Sequence, residues 1–196
     1  MPLNPSWDWL HLLQPAEEEQ LLMDVKYLNP FLTAAAEVIQ AEVQLEIKRG
    51  PITVHQGSFT TDEVTVLINL VGQIQGVVLL ELSKQTGIGF VSKMMGQSFT
   101  DFDNLAQSGI AELGNVISGK ATVELSKTGI DSTISPPTMI LGKGTQISTM
   151  DFQRLVVPLN TEIGSVTVHL AVRESPPDQQ HVNFVPLIQK ATTTLN

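Results

Sequence analysis

Cysteine is absent from the 196-residue sequence, which excludes disulfide bonds and thiolate chemistry and is typical of a reducing cytosol. Basic residues are also few, with 11 Lys and Arg against 20 Asp and Glu, so the formal net charge is −9. Nucleic acids and anionic membranes are therefore poor candidate partners. The N-terminus has no basic start typical of a signal peptide, and no apolar run reaches the roughly 20 residues of a membrane span. We expect a soluble, cytoplasmic protein without membrane insertion.

Hydrophobic residues make up 42% of the chain, which is enough for a sizeable core, and the length fits one ordinary domain. We divide the chain into an N-terminal appendage over 1–26, a domain over 27–173 and a C-terminal tail over 174–196. The appendage holds both tryptophans, Trp7 and Trp9, and we expect it to pack on its own domain. A docking or dimer-forming arm is the alternative, because exposed tryptophan often anchors interfaces. The tail is expected to be irregular or to form a terminal helix.

The order of apolar periods predicts a duplicated α+β architecture. Helices are predicted to begin at Asn29, with Pro30 in the first helical position, and to span 84–96 and 101–125. Strands are predicted over 43–54, 62–72, 72–82, 131–142, 150–160 and 163–174. The second and third strands are separated by a turn at Gly72–Gln73. Two helix-plus-three-strand pseudo-repeats therefore predict a two-layer fold, an antiparallel six-stranded sheet with helices on one face.

The helix around 108–121 has an unusual composition. It contains three glycines, each of which costs roughly 1 kcal/mol relative to alanine in a helix interior. At about 100° per residue its apolar residues share one arc, and Ser108, Glu112, Asn115 and Gly119 form a row on the opposite side. Gly114 falls on the sheet side. We expect Gly119 to let another backbone approach the row, although an ordinary solvated face is the alternative on geometry alone.

The residues of this row resemble a known motif. Ser108-x3-Glu112-x2-Asn115 is followed 21 residues later by Pro136 and then Pro137. This pattern is similar to the active-site motif of the CheC, CheX and FliY family of chemotaxis phosphatases, and the duplicated layout resembles that family over roughly residues 27–173. The resemblance implies dephosphorylation of the aspartyl phosphate of a CheY-like response regulator. A single complete site resembles CheX more than CheC.

Aspartyl phosphate is an acyl phosphate that already hydrolyses spontaneously, so a partner needs mainly to place a water in line with phosphorus. An amide offers a water both a donor and an acceptor, which makes Asn115 the expected water-positioning residue. Glu112 is a weak base as a surface carboxylate. The resemblance implies instead that Glu112 pairs with the receiver domain's lysine, and that Mg²⁺ comes with the regulator rather than as a cofactor of this chain. Ser108 and Gly119 are expected partner contacts.

The first half repeats the spacing without the full motif. Thr33-x3-Glu37-x2-Gln40 carries glutamine where asparagine is expected, and Pro51 lies too close to match the later proline. We interpret Glu37 and Gln40 as a degenerate first-half site. A non-catalytic interaction module, as in flagellar switch proteins of the same fold, is the alternative function for the whole chain. An orphan sheet protein with a merely solvated helix face is a third hypothesis.

A homodimer is also expected from the sequence. The long apolar strands EVTVLINLVG, over 63–72, and SVTVHLAV, over 165–172, would invite pairing if they lay at sheet edges. Resemblance to CheX-like proteins implies dimers as well.

Overall fold

The computed structural model describes residues 15–149, 152–180 and 186–190, in which the chain forms three helices and eleven strands. The helices are α1 Pro15–Val38, α2 Lys84–Met95 and α3 Asn104–Ser126. A π-helical turn, Ile39–Val43, continues α1. The strands are β1 Lys48–Arg49, β2 Thr53–His55, β3 Ser58–Thr60, β4 Val64–Gly72, β5 Ile74–Leu82, β6 Ser132–Ile134, β7 Thr138–Leu141, β8 Thr145–Ser148, β9 Arg154–Thr161, β10 Gly164–Glu174 and β11 Leu187–Lys190.

The main sheet is antiparallel, as predicted, and its central order is β9-β10-β5-β4. In the described ranges it has eight strands rather than six, because each edge position is shared by two short strands. Both β1 and β2 pair with β9, and both β6 and β7 pair with β4. Pro51 lies between the first two, and Pro136 and Pro137 lie between the second two. Proline has no N–H for the ladder, so each predicted edge strand is interrupted there.

The helices cover one face of this sheet. Alternate residues of β4 and β5 point toward them, because successive side chains of a strand point to opposite faces. The buried members on this face are Val64, Val66, Ile68, Leu70, Ile74, Val78, Leu80 and Leu82. Full burial of such a side chain contributes about 1.5–3 kcal/mol. The predicted antiparallel sheet with helices on one face is confirmed, and the Gly72–Gln73 turn joins β4 to β5 as expected.

The opposite face carries a small second sheet that sequence reasoning missed. Within the described residues its strand order is β11-β8-β3. Phe59 of β3 and Ile147 of β8 pack there against Leu67 and Leu79 of the main sheet. The C-terminal tail, expected to be irregular or helical, therefore contributes strand β11.

Helix α1 begins 14 residues earlier than predicted, at Pro15 rather than Asn29. The Asn29-Pro30 pair looks like a cap and first turn, yet Pro30 lies inside the helix, where proline costs roughly 3 kcal/mol. Tyr27 and Phe31 are buried on either side of it. Their burial offsets the lost backbone hydrogen bond. The helix crosses the predicted boundary between residues 26 and 27, and that division stays a prediction. The tryptophans of the appendage lie outside the described residues.

The two strands expected to form dimer edges are interior. Strand β4 lies between β5 and the β6–β7 pair, and β10 lies between β9 and β5. That argument for edge pairing is therefore wrong, and the homodimer stays a prediction. No helix in the described part of the chain has the length and apolar character that a membrane crossing requires.

Candidate functional site

Helix α3 carries Ser108, Glu112 and Asn115 of the predicted motif, together with Gly119. It begins where the Asp103 carboxylate accepts a hydrogen bond from the Ala106 backbone N–H, at 2.9 Å. Such a cap stabilises a helix by roughly 1 kcal/mol. The side of α3 that packs into the protein carries the buried residues Ala106, Gly109, Ile110, Leu113, Gly114, Ile117, Ser118, Ala121 and Leu125. This burial fixes the rotation of the helix and hence the direction of the opposite row.

The three glycines of α3 differ in how closely neighbouring residues pack against them. A Cβ atom added to Gly109 would lie 3.1 Å from Val91 Cγ2 of α2, and one added to Gly114 would lie 3.0 Å from Val66 Cγ1 of β4. These two glycines allow α2 and the sheet to pack closely on α3. A Cβ at Gly119 would meet Ile134 Cδ1 at 3.8 Å, an ordinary contact. Packing within the described structure therefore does not require glycine at position 119.

The structure places the four residues of the predicted row on the side of α3 opposite its buried residues. Ser108 and Glu112 are exposed, and Asn115 and Gly119 are half-buried. The Ser108 hydroxyl donates to the Asn104 carbonyl at 2.9 Å, so it is used within the helix rather than on Glu112. Across residues 15–149, 152–180 and 186–190, the Glu112 carboxylate and the Asn115 amide have no hydrogen-bond or ion-pair partner. Both polar groups are therefore available to an external molecule.

A fixed break in the sheet edge lies beside α3. The Asn69 N–H donates to Ser135 Oγ, and the Ser135 N–H donates to the Asn69 carbonyl, both at 3.0 Å. Strand β6 ends at Ile134, whose side chain is the neighbour of Gly119. The bonds of Ser135 fix the chain directly before the exposed Pro136. The motif's proline thus lies at this sheet edge, two residues after the Ile134 side chain that faces Gly119. Sequence reasoning did not single out Ser135, whose position before two prolines was the available signal.

The first-half residues lie in a different environment. Glu37 Oε2 is 2.6 Å from Lys120 Nζ of α3, so this carboxylate is already paired within the chain. Gln40 lies in the π-helical turn that follows α1, and the turn ends at Gln44 in the left-handed conformation, with φ 58°. Both Glu37 and Gln40 are exposed. The equivalent spacing therefore does not reproduce the free carboxylate of α3, and its amide lies on a π-helical turn rather than on a regular α-helix.

Comparison with known proteins identifies the family. The family model for the chemotaxis phosphatase CheX matches residues 64–160, a range that contains α3 and Pro136. The CheY-P phosphatase CheX of Thermotoga maritima is 35% identical over 127 residues, covering 64% of this chain and 81% of that protein. The chain belongs to the CheX family.

Solved structures carry the same fold as this CheX-family chain. A CheC-like superfamily protein from Shewanella sp. PV-4 matches 76% of the chain and 98% of its own length, at a TM-score of 0.70 and 24% identity. The CheX of the Borrelia burgdorferi CheX–CheY–BeF3–Mg complex matches 76% of the chain and 98% of its own length, at a TM-score of 0.63 and 25% identity.

A second polar cluster lies on the sheet face away from α3. His169 Nε2 is 3.3 Å from Glu81 Oε2, the His169 ring stacks on Phe59 at 4.9 Å, and the Arg154 guanidinium lies 4.6 Å from the Phe59 ring. Burial acts to raise the pKa of Glu81, but the interaction with His169 and the hydrogen bond from the Asp62 N–H outweigh it and lower that pKa. This cluster tethers the second sheet to the first, on the opposite face from the CheX motif.

Proposed function

We propose that this CheX-family chain is a response-regulator phosphatase that hydrolyses the aspartyl phosphate of a CheY-like receiver domain. The Thermotoga maritima relative is named a CheY-P phosphatase, and the Borrelia burgdorferi neighbour is a CheX in complex with CheY, BeF3 and Mg. The observation that carries the proposal for this chain is the outer row of α3. There an unpaired carboxylate, Glu112, and an unpaired amide, Asn115, lie one turn apart beside a bare Gly119.

The reaction needs a positioned water more than a strong base. A water oxygen attacks phosphorus in line with the acyl oxygen, the bond between phosphorus and that oxygen breaks, and the products are inorganic phosphate and the free aspartate carboxylate. In this proposal the Asn115 amide oxygen accepts a hydrogen bond from the water and its NH₂ group donates to a phosphoryl oxygen. Positioning of this kind, together with charge stabilisation, supplies most of the acceleration in phosphoryl transfer.

Glu112 is assigned to docking. Its carboxylate is exposed and lies one helical turn from Asn115, so a lysine of the receiver that pairs with it would set the register of the water against the phosphorus. Mg²⁺ belongs to the receiver in this scheme, as it accompanies CheY in the Borrelia burgdorferi complex. Ser108 and Gly119 are assigned to the surface that the receiver covers.

The test is the rate at which a phosphorylated CheY-like receiver loses its phosphate with and without the protein. We expect the protein to accelerate the loss catalytically, at substoichiometric amounts. An unchanged rate together with measurable binding would instead identify the non-catalytic interaction module, and an unchanged rate without binding would remove the receiver as a partner.

We further propose that the protein acts in the cytoplasm as a homodimer. In the described part of the main sheet the free edges are β1–β2 and β6–β7, so edge pairing would use these short strands. Sedimentation at micromolar concentration tests this directly, and a monomeric mass would contradict it.

A further inference from the structure

Three exposed apolar side chains share the outer face of α3 with the motif. Leu105 is 50% exposed, Val116 40% and Val123 57%. At about 100° per residue, all three fall within 20–40° of Glu112 around the helix axis. The outer face, including Ser108, Asn115 and Gly119, spans an arc of about 100°, and Glu112 is its one charged residue. An exposed helix face is normally polar, so this apolar stripe needs a reason outside the helix.

The stripe lies within the area that any partner reaching Asn115 must cover. Val116 directly follows Asn115 and lies one turn from Glu112. Val123 is eight residues beyond Asn115, or about 12 Å along the axis, and Leu105 is about 15 Å away in the other direction. A standard protein interface buries about 800 Å² on each partner, which corresponds to a disc of about 16 Å radius. A receiver centred on Asn115 therefore covers all three side chains.

The stripe also continues into a concave surface. Val123 forms one wall of a groove of about 600 Å³ between the last turns of α3 and the end of the β4–β5 hairpin. Val71 and Thr133 line the facing side. An apolar side chain of a partner lying along α3 would enter this groove next to Val123.

We propose that Leu105, Val116 and Val123 form the docking stripe that gives this phosphatase its affinity for the receiver, with Glu112 setting register and Asn115 acting on the phosphate. The inference rests on the proposed function, because it takes the receiver as occupant. That choice follows from continuity, since the stripe and the unpaired carboxylate and amide are one surface. The receiver must then present an apolar patch beside the lysine that meets Glu112.

The experiment is binding of a CheY-like receiver loaded with beryllofluoride and Mg²⁺ to the full chain and to Val116→Ala, Val123→Ala and the double variant. Each change removes two methyl groups, so we expect the dissociation constant to rise about five- to tenfold for each valine that the receiver buries fully. Alanine is a better helix former than valine, so weaker binding cannot arise from loss of α3. At subsaturating receiver, the dephosphorylation rate should fall in proportion to the lost affinity.

Val54→Ala is the matched control. Val54 is 38% exposed, close to the exposure of Val116, but lies on β2 at the far edge of the sheet. Its substitution should leave the dissociation constant unchanged.

Unchanged binding by the double variant would overturn the docking stripe and leave the phosphatase proposal intact. Weakened binding without any dephosphorylation by the unmodified protein would support the stripe and overturn the phosphatase. Absence of receiver binding by the unmodified protein would overturn both.

Discussion

The helices α1 and α3 carry the same spacing of polar residues but differ in what surrounds it. On α3, Glu112 and Asn115 lie on a continuous α-helix and have no partner within the described chain. On α1, Glu37 pairs with Lys120 at 2.6 Å, and Gln40 falls in a π-helical turn. The same motif spacing therefore lies in two different environments. A free carboxylate and a regular helical backbone distinguish the copy on α3 from the copy on α1.

Glycine content separates the copies further. The helix α3 has three glycines in its interior, whereas the Thr33–Gln40 stretch has none. Gly119 is not needed for internal packing, although it costs roughly 1 kcal/mol relative to alanine. This is the pattern that we expect if the receiver approaches α3 rather than α1, as proposed above.

The largest expected effect comes from deleting the amide. Asn115→Ala should reduce dephosphorylation to the receiver's spontaneous rate, a loss of about a hundredfold or more, because the attacking water is no longer held in line. The equivalent change on α1, Gln40→Ala, should leave the rate unchanged. Phosphate release from a phosphorylated receiver measures both. Equal effects of the two changes would contradict the distinction between the copies.

Charge reversal at Glu112 should weaken receiver binding, whereas charge reversal at Glu37 should not. Glu112→Lys places a cation against the receiver's lysine, and like charges in an interface cost several kcal/mol, so binding should weaken by about a hundredfold or more. Glu37→Lys should change the dissociation constant by less than about threefold, since Glu37 pairs with Lys120 of its own chain. Calorimetric titration with a beryllofluoride-loaded receiver tests the pair. Unimpaired binding by Glu112→Lys would remove this residue from the interface.

The glycines of α3 should respond in opposite directions. Gly119→Gln should raise thermal stability by a few tenths to about 1 kcal/mol and lower activity by tens of fold, because the new side chain stands where the receiver approaches. Gly114→Gln should lose stability, since its Cβ would already lie 3.0 Å from Val66 Cγ1 and overpacking costs about 1–3 kcal/mol. Melting temperature and phosphate release distinguish the two. Full activity in Gly119→Gln would show that this glycine does not admit a partner.

The sequence predicted the faces of α3 well because helical periodicity is local and its apolar residues are regularly spaced. The features that the sequence did not predict, the start of α1 and the second sheet, depend on tertiary contacts. The start of α1 was wrong because Asn29-Pro30 has the chemistry of a cap, whereas burial of Tyr27 and Phe31 maintains the helix through Pro30. The second sheet pairs Ser58 with Ser148, a contact between segments far apart in the chain that a local pattern does not reveal.

The ion pair between α1 and α3 was equally inaccessible, because it depends on how two helices pack. Glu37 and Lys120 have no sequence signal in common. Their side chains are 53% and 40% exposed, so solvent screens the pair and its contribution to stability is below about 1 kcal/mol. The pair matters here because it occupies the Glu37 carboxylate, not because it stabilises the fold.

The smallest expected effect comes from removing the ion-pair partner of Glu37. This change tests which difference from α3 prevents a second receiver site on α1. Lys120→Ala frees Glu37 but leaves Gln40 in its π-helical turn. If the irregular backbone and the wrong amide are what prevent a second site, the variant should still bind one receiver per chain, with a rate within about twofold and a stability change below about 1 kcal/mol.

Lys127→Ala is the control for Lys120→Ala, because Lys127 follows the last turn of α3 and pairs with Glu124 at 2.6 Å, outside both copies of the motif. Stoichiometry is read by sedimentation of the variant with excess beryllofluoride-loaded receiver. A second bound receiver in Lys120→Ala, absent from Lys127→Ala, would show that a free carboxylate at the right spacing is sufficient for docking. The backbone difference between α1 and α3 would then be irrelevant to partner binding, and the water-positioning amide would be the remaining distinction between the two copies.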